Sequence, residues 1–329
     1  MRKIDSFAHI LPRHYRERIE RHLESTMSSG QLRYYREGVF DFDPALTDLD
    51  ARFRRLEALG DYAQVLVLAV PPIEETGPAK VAAEFARLAN DEMADLVQRY
   101  PDRFVGFAAA LPLHDTDATL LEIDRAVNEL HALGAQVYTN VLGTPLDHPR
   151  FEPILDSLER LGRTVWLHPT RNATWTDYPT EAESDYGLWW SIGWPYETAA
   201  ALSRLVYSGV MERHPDLKLI AHHGAGMVPH FSARLAMGPG YRQVKDQLPR
   251  PPIEYFRRFY ADTALFGAPH AVRCVLDFFG PEHVLFGTDM PLGPPAAIEA
   301  TIADIEEACL SEEHRRAVFE DNAARLLSV

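Results

Sequence analysis

Lys3-Ile4-Asp5-Ser6-Phe7-Ala8-His9-Ile10-Leu11-Pro12 is the stretch on which the reading of this chain turns. Lys3 to Phe7 has the character of a short buried strand, and His9 follows where the strand gives way to a loop. In an α/β barrel the carboxyl ends of the strands form one face, where side chains far apart in sequence converge on a substrate or metal. One histidine there is equally a turn cap or a gap filler. The rest of the chain repeats the placement: His168 follows Thr164-Val165-Trp166-Leu167, His222 and His223 follow Leu217 to Ala221, and Asp289 follows Val284 to Gly287.

Four further apolar runs lie between these: Ala63 to Ala69, Phe104 to Ala109, Ala135 to Tyr138 and Phe259 to Ala261. Helical periods separate them, among them Ala79 to Tyr100, Thr116 to Leu133, Phe151 to Leu161 and Pro195 to His214. Near-continuous apolar strands alternating with amphipathic helices predict a parallel sheet covered on both faces. Eight such strands predict one (β/α)8 TIM barrel over residues 1–329. Two stretches fall outside the alternation. Residues 13–43, which include Leu32-Arg33-Tyr34-Tyr35-Arg36-Glu37, read as a loop insertion of the kind that is functional or poorly ordered. Residues 171–194 carry Trp175, Tyr178, Tyr186, Trp189, Trp190 and Trp194, and read as a pocket wall over the catalytic face or as a small core beneath a long loop.

Composition narrows the function. With a formal net charge of -15 the chain lacks the basic face that nucleic acid or an anionic membrane surface needs, so neither is an expected partner. Arg33 and Arg36 still suit a small carboxylate, since guanidinium matches its planar geometry, although solvated loop charge explains them as well. The 2 cysteines, Cys274 and Cys309, offer neither a disulfide framework nor a CxxC metal site. With no apolar stretch near the roughly twenty residues that span a bilayer, and a start that reads directly as a strand, the expected location is cytoplasmic. Gly-x-Gly-x-x-Gly after the first strand, the P-loop pattern and Gly-x-Ser-x-Gly are all absent, so dinucleotide, nucleotide and serine-hydrolase readings lose their usual signals.

What remains is the constellation. His9, His168 and Asp289 supply two imidazoles and a carboxylate, a set suited to a divalent metal with positions left for water or substrate. A histidine after the sixth strand then serves as general acid or base without being a ligand. Individually the residues have other readings: Asp289 as a helix N-cap, His222 as a buried structural histidine.

Taken together the motifs resemble the decarboxylase branch of the amidohydrolase superfamily. The likeness is carried by Ile4-Asp5-x-x-x-His9-Ile10-Leu11-Pro12, Tyr100-Pro101-x-Arg103-Phe104-Val105-Gly106, Leu167-His168-Pro169, Gly193-Trp194-Pro195-x-Glu197-Thr198, His223-Gly224-x-Gly226 ahead of Pro229, and Leu285-Phe286-Gly287-Thr288-Asp289-x-Pro291. It implies a metal-dependent barrel with His9, His168 and Asp289 as ligands, zinc the usual ion and manganese used by some members. It also implies His223 as the acid/base histidine and Trp194 at the substrate. Arg36 matches a same-subunit arginine for the substrate carboxylate, and Arg234 matches one that enters the neighbouring subunit's site, which implies a homodimer. The chain departs from the branch at Phe7, where His-x-His or Glu-x-His is usual; phenylalanine cannot ligate, leaving three protein ligands.

The expected activity is non-oxidative decarboxylation of an aromatic or unsaturated carboxylic acid, hydroxybenzoate-like or muconate-semialdehyde-like, with no organic cofactor. Metal-assisted hydrolysis of a lactone or amide, and metal-free binding of a small molecule, stay open on the residues alone.

Overall fold

The computed structural model describes residues 1–329 apart from 28, 238–242, 247, 295 and 310, and apart from the side chains of 30, 31 and 34. Eight parallel strands hydrogen-bond in sequence order: β1 Lys3–Ile10, β2 Tyr62–Leu68, β3 Phe104–Ala109, β4 Gly134–Tyr138, β5 Thr164–His168, β6 Leu219–Ala221, β7 Tyr260–Asp262 and β8 Val284–Leu285. Single backbone bonds bring the last segment back to the first: Ser6 N–H donates to the Phe286 carbonyl at 2.8 Å, His9 N–H to Met290 at 2.7 Å, and Asp289 N–H to Phe7 at 3.1 Å. Buried Asp5 reinforces the seam, accepting from Tyr62 Oη at 2.7 Å and from Thr288 Oγ1 at 2.6 Å.

The inside of the barrel explains where the polar side chains go. Ile4, Phe7, Val65, Val67, Ala108, Trp166, Ile220 and Leu285 pack together as an inner apolar layer, closed at the base by Ala323, Leu326 and Leu327. A register shift in β1 between Asp5 and Ala8 puts Ile4 and Phe7, three residues apart, in the same layer. Alternation then carries the residue two positions later into the mouth above. Phe7 is followed by His9, Trp166 by His168 and Ile220 by His222. Each buried histidine stands one step above an apolar residue that fixes its strand.

Helices cover the outside: α1 Arg13–Thr26, α2 Ser29–Tyr35, α3 Leu49–Glu57, α4 Ala79–Arg99, α5 Thr116–Asn128, α6 Glu152–Arg160, α7 Gly193–Tyr207, α8 Val228–Met237, α9 Pro269–Phe279 and α10 Ala297–Ala308. Helix α4 buries Ala82, Phe85, Ala86, Ala89, Met93 and Leu96 along one stripe and ends just before Pro101. Asp115 starts α5 by accepting from the Ala118 N–H.

Residues 13–43 correct the expectation of a loop. They form α1, α2 and a π-turn over Arg36–Phe40. Tyr15, Ile19 and Leu23 recur every fourth residue and are fully buried, which anchors α1 although charged residues surround them. The predicted helix over Pro195 to His214 is also divided: α7 begins two residues earlier, and Gly209, with φ +78°, ends it before a short turn over Val210–Arg213.

Candidate metal centre and active-site mouth

At the carboxyl end of the barrel, His9, His168, His222 and Asp289 lie together. All four are buried. His9 Nε2 lies 3.1 Å from Asp289 Oδ1, and His222 Nε2 lies 3.3 Å from the same oxygen. One donor atom from each of His9, His168 and His222 falls within 4.8 Å of the other two. Asp289 adopts φ +61°, a left-handed conformation uncommon outside glycine, and its backbone N–H is tied to Phe7.

The outer partners set the tautomers. His168 Nδ1 donates to the Pro169 carbonyl at 2.6 Å, which leaves the Nε2 lone pair free toward the centre. His222 Nδ1 bonds the carboxylate of Asp262, whose Oδ1 accepts from the backbone N–H of Gly224 and of Ala264, each at 3.2 Å. Phe7 stacks face to face on His222, with centroids 3.7 Å apart and planes at 10°.

Electrostatics separate these groups. Burial pushes the His168 imidazole well below its usual range, and the neighbouring His9 and His222 push it further, so it is neutral and able to ligate. For Asp289 burial opposes ionisation, but the imidazoles of His222 and His9 outweigh it and hold the carboxylate ionised. Burial likewise opposes the charge on His222, yet Asp262 and Asp289 raise its pKa to about 9. His223 is pushed down to about 4, by burial and then by the charge on His222.

These residues fit a divalent metal ion. His9 Nδ1 is buried without a hydrogen-bond partner, and Nε2 has the Asp289 carboxylate beside it at 3.1 Å; a buried nitrogen left unsatisfied costs about 1–3 kcal/mol unless something else satisfies it. The separations of 3.1 and 3.3 Å match the spacing of donors around one ion, since ligands about 2.0–2.1 Å from a tetrahedral centre lie roughly 3.3 Å apart.

A cavity of about 380 Å³ opens above the centre, lined by His168, Asp289, Val39, Phe42, Phe266 and Leu292 together with Trp189, Trp190 and Trp194. Trp194 stands in the first turn of α7, donates its indole N–H to the Arg171 carbonyl at 3.0 Å, and sets its ring edge-on to His168 at 5.3 Å. Half-buried His223 faces an adjoining space of about 240 Å³, also walled by Trp190, Trp194 and Phe266. Its Nδ1 donates to the Ala264 carbonyl at 3.0 Å. Arg171 holds the aromatic segment in place, reaching Glu197 at 3.4 Å and the carbonyls of Trp175 and Thr176. A larger cleft of about 590 Å³ lies to one side, lined by Glu74, Glu75, Asn140, Arg171 and Trp175.

Of the two predicted carboxylate-binding arginines, Arg36 is not brought to the mouth, and Arg234, expected at the neighbouring subunit's site, stands away from the mouth of its own. Arg36 is paired with Glu20 at 3.1 Å and with Glu24, both on α1, beside the rim formed by Gly38, Val39 and Phe42. Arg234 is exposed on α8 and lines neither space. Two residues beside the centre have no role in it on the sequence reading: His222 reads as a buried structural histidine, and Asp262 has no part. His222 was available through strand parity, because it lies two residues beyond Ile220. Asp262 directly follows the predicted seventh strand, but its role depends on β6 and β7 being neighbours.

The chain is 30% identical over 302 residues to the 2-amino-3-carboxymuconate-6-semialdehyde decarboxylase of Dictyostelium discoideum, an alignment covering 88% of this chain and 81% of that one. It is 33% identical over 258 residues to the 6-methylsalicylic acid decarboxylase of Penicillium expansum, with 74% of each chain covered. Among solved structures, 5-carboxyvanillate decarboxylase from Sphingomonas paucimobilis superposes with a TM-score of 0.86 at 26% identity, over 100% of this chain and 99% of that one. The family model for amidohydrolases matches residues 4–329, and with the eight-stranded barrel and its histidine-rich mouth this places the chain in the amidohydrolase family.

Proposed function

We propose that the protein is a divalent-metal-dependent, non-oxidative decarboxylase of an aromatic or unsaturated carboxylic acid bearing a polar group next to the carboxylate. The observation that carries the proposal is the gathering of His9, His168, His222 and Asp289 beneath a tryptophan-walled cavity, with one donor of each histidine within 4.8 Å of the other two and His9 Nε2 3.1 Å from Asp289 Oδ1. Both curated relatives named above are decarboxylases of conjugated carboxylic acids, which supports the same class.

His9, His168 and Asp289 would hold the ion, zinc first and manganese second, and the ion supplies Lewis acidity toward substrate oxygens. The chain's own groups do the rest. Trp189, Trp190 and Trp194 give a flat conjugated substrate an apolar wall and exclude water from the reacting carbon. His223, with its Nδ1 occupied by Ala264, presents Nε2, which takes a proton from water and passes it to the substrate. The proton adds at the carbon bearing the carboxylate; the carbon–carbon bond then breaks, its electron pair returns to the conjugated system, and carbon dioxide leaves. Arg234 of a second subunit would hold the carboxylate in a homodimer, and Arg36 is the same-subunit candidate if it leaves Glu20 and Glu24.

The substrate is a small carboxylic acid, and no helix among the described residues is long and apolar enough to cross a membrane. The test is a panel of 2-hydroxybenzoates and muconate semialdehydes offered to zinc- and manganese-loaded protein. Stoichiometric carbon dioxide with the product one carbon shorter supports the proposal. Loss of no carbon from any substrate, or a new acid that keeps every carbon, contradicts it.

A further inference from the structure

We infer that the far end of the substrate is hydrocarbon: the acid this chain acts on carries an alkyl chain or a second ring away from the reacting carboxylate, and an acid with a second ionised group is refused. The inference rests on the decarboxylase reading above and deepens it, choosing within the class of conjugated acids by what the wall of the mouth accepts.

The ionisable groups of the mouth all lie at one end. Among the described residues around the cavity of about 380 Å³, only His168 and Asp289 ionise, and both belong to the candidate metal centre. In the adjoining space the same holds of His223. The rest of the larger wall is apolar, with Val39 and Phe42 from the segment after α2, Val70 from the end of β2, Trp189 and Trp190, and Leu292 after β8. The side cleft is lined quite differently, by Glu74, Glu75 and Arg171. The two arginines considered above serve the reacting carboxylate, so neither is left to pair a second one. A second carboxylate pushed against this wall would lose its water and gain no partner. The net charge of -15 already opposes the approach of a dianion.

The space has a definite size and shape. A cavity of about 150 Å³ takes one benzene ring, so about 380 Å³ leaves room beyond a benzoate ring for a second ring or a short chain. Phe266 adopts φ +56°, uncommon outside glycine, and sets its ring 5.6 Å from His223, on the walls of both spaces. Gly293 permits that approach, since a Cβ there would meet the Phe266 ring at 2.9 Å. An acid with its oxygens at the metal centre and its reacting carbon at His223 thus has the apolar chamber for the remainder of the molecule.

The test uses 2-hydroxybenzoates carrying either propyl or the nearly isosteric 2-carboxyethyl group at each free ring position in turn. Carbon dioxide release by zinc-loaded protein gives kcat/KM, and calorimetry gives the Kd of the corresponding phenols, which cannot react. At the best position propyl should raise kcat/KM at least about 10-fold over unsubstituted 2-hydroxybenzoate, and 2-carboxyethyl should fall at least about 100-fold below propyl. The phenols should bind in the same order. Leu292→Arg places a cation in the chamber and should narrow the propyl-to-carboxyethyl ratio by at least about 10-fold; should it not fold, Phe42→Arg on the exposed rim makes the same test. Equal or reversed preference between the two groups overturns the inference, as does no gain from propyl at any position or a ratio that the arginine leaves unchanged. Phenols that bind in the expected order without carbon dioxide from any acid would overturn the reaction and leave the apolar chamber standing, whereas carbon dioxide released equally from both acids would do the reverse.

Discussion

Two buried carboxyl groups, Asp289 in the barrel mouth and Glu74 beside the larger side cleft, show how differently burial acts in different company. Both are almost wholly shielded from solvent. Asp289 has imidazoles on two sides, which outweigh burial and keep it ionised. Glu74 has neither carboxylate oxygen hydrogen-bonded, and burial drives its pKa up to about 8. The side cleft is the larger space, yet the mouth is where donors converge. Size and a perturbed acid do not by themselves make a centre; convergence of complementary groups does.

The sharpest way to break this contrast is to disable each region in turn. His168→Ala or Asp289→Asn should lower the decarboxylation rate by roughly 10⁴-fold or more, the scale on which losing a central catalytic group acts. Glu74→Gln should leave it within about twofold. Steady-state carbon dioxide release measures both, and a large loss in Glu74→Gln would mean that the side cleft belongs to the chemistry.

Stability against pH separates the regions next. In the unfolded chain Glu74 ionises above about 4.5, whereas in the folded protein it keeps its proton to about 8. Folding is therefore penalised increasingly as pH rises from 4.5 to 8, and by a constant amount above that. Glu74→Gln removes the penalty. The variant should match the native protein near pH 5 and exceed it near pH 9 by on the order of 4 kcal/mol in urea unfolding. Equal stabilities at both pH values would show that Glu74 has a partner in solution.

A smaller effect is expected at the wall between the regions. Trp194→Ala removes the ring beside His168 and should raise KM by about 10-fold, with a lesser change in kcat, since ring contact acts on bound substrate and transition state alike. The smallest effect tests the rim. Arg36→Ala breaks only its exposed pairs with Glu20 and Glu24 and should change KM by less than about threefold. A larger rise, reversed by Arg36→Lys, would show that Arg36 swings inward to the carboxylate.

Much of the architecture is legible in the sequence, for a physical reason. Strands buried on both faces must be almost wholly apolar, and Pro101 or Gly209 marks a helix end whatever surrounds it. Helix α1 is harder to read because three apolar residues, Tyr15, Ile19 and Leu23, suffice to hold it amid Arg, Glu and His. That helix changes the meaning of Arg36, whose partners Glu20 and Glu24 stand on it. In the site, His9, His168 and Asp289 can be read because each closes an apolar run. His222 and His223 cannot be separated by spacing to later motifs; strand parity above Ile220 separates them. Asp262 depends on a contact between strands about forty residues apart, which no local pattern announces.

The most direct test of the central claim is decarboxylation of a carboxyl-¹³C-labelled 2-hydroxybenzoate or muconate semialdehyde in D₂O, by metal-loaded protein and by the same protein after chelation. The account predicts labelled carbon dioxide and one deuterium at the vacated carbon, both abolished by chelation and restored by zinc or manganese. Label retained in the product, or release that chelation leaves untouched, would contradict it.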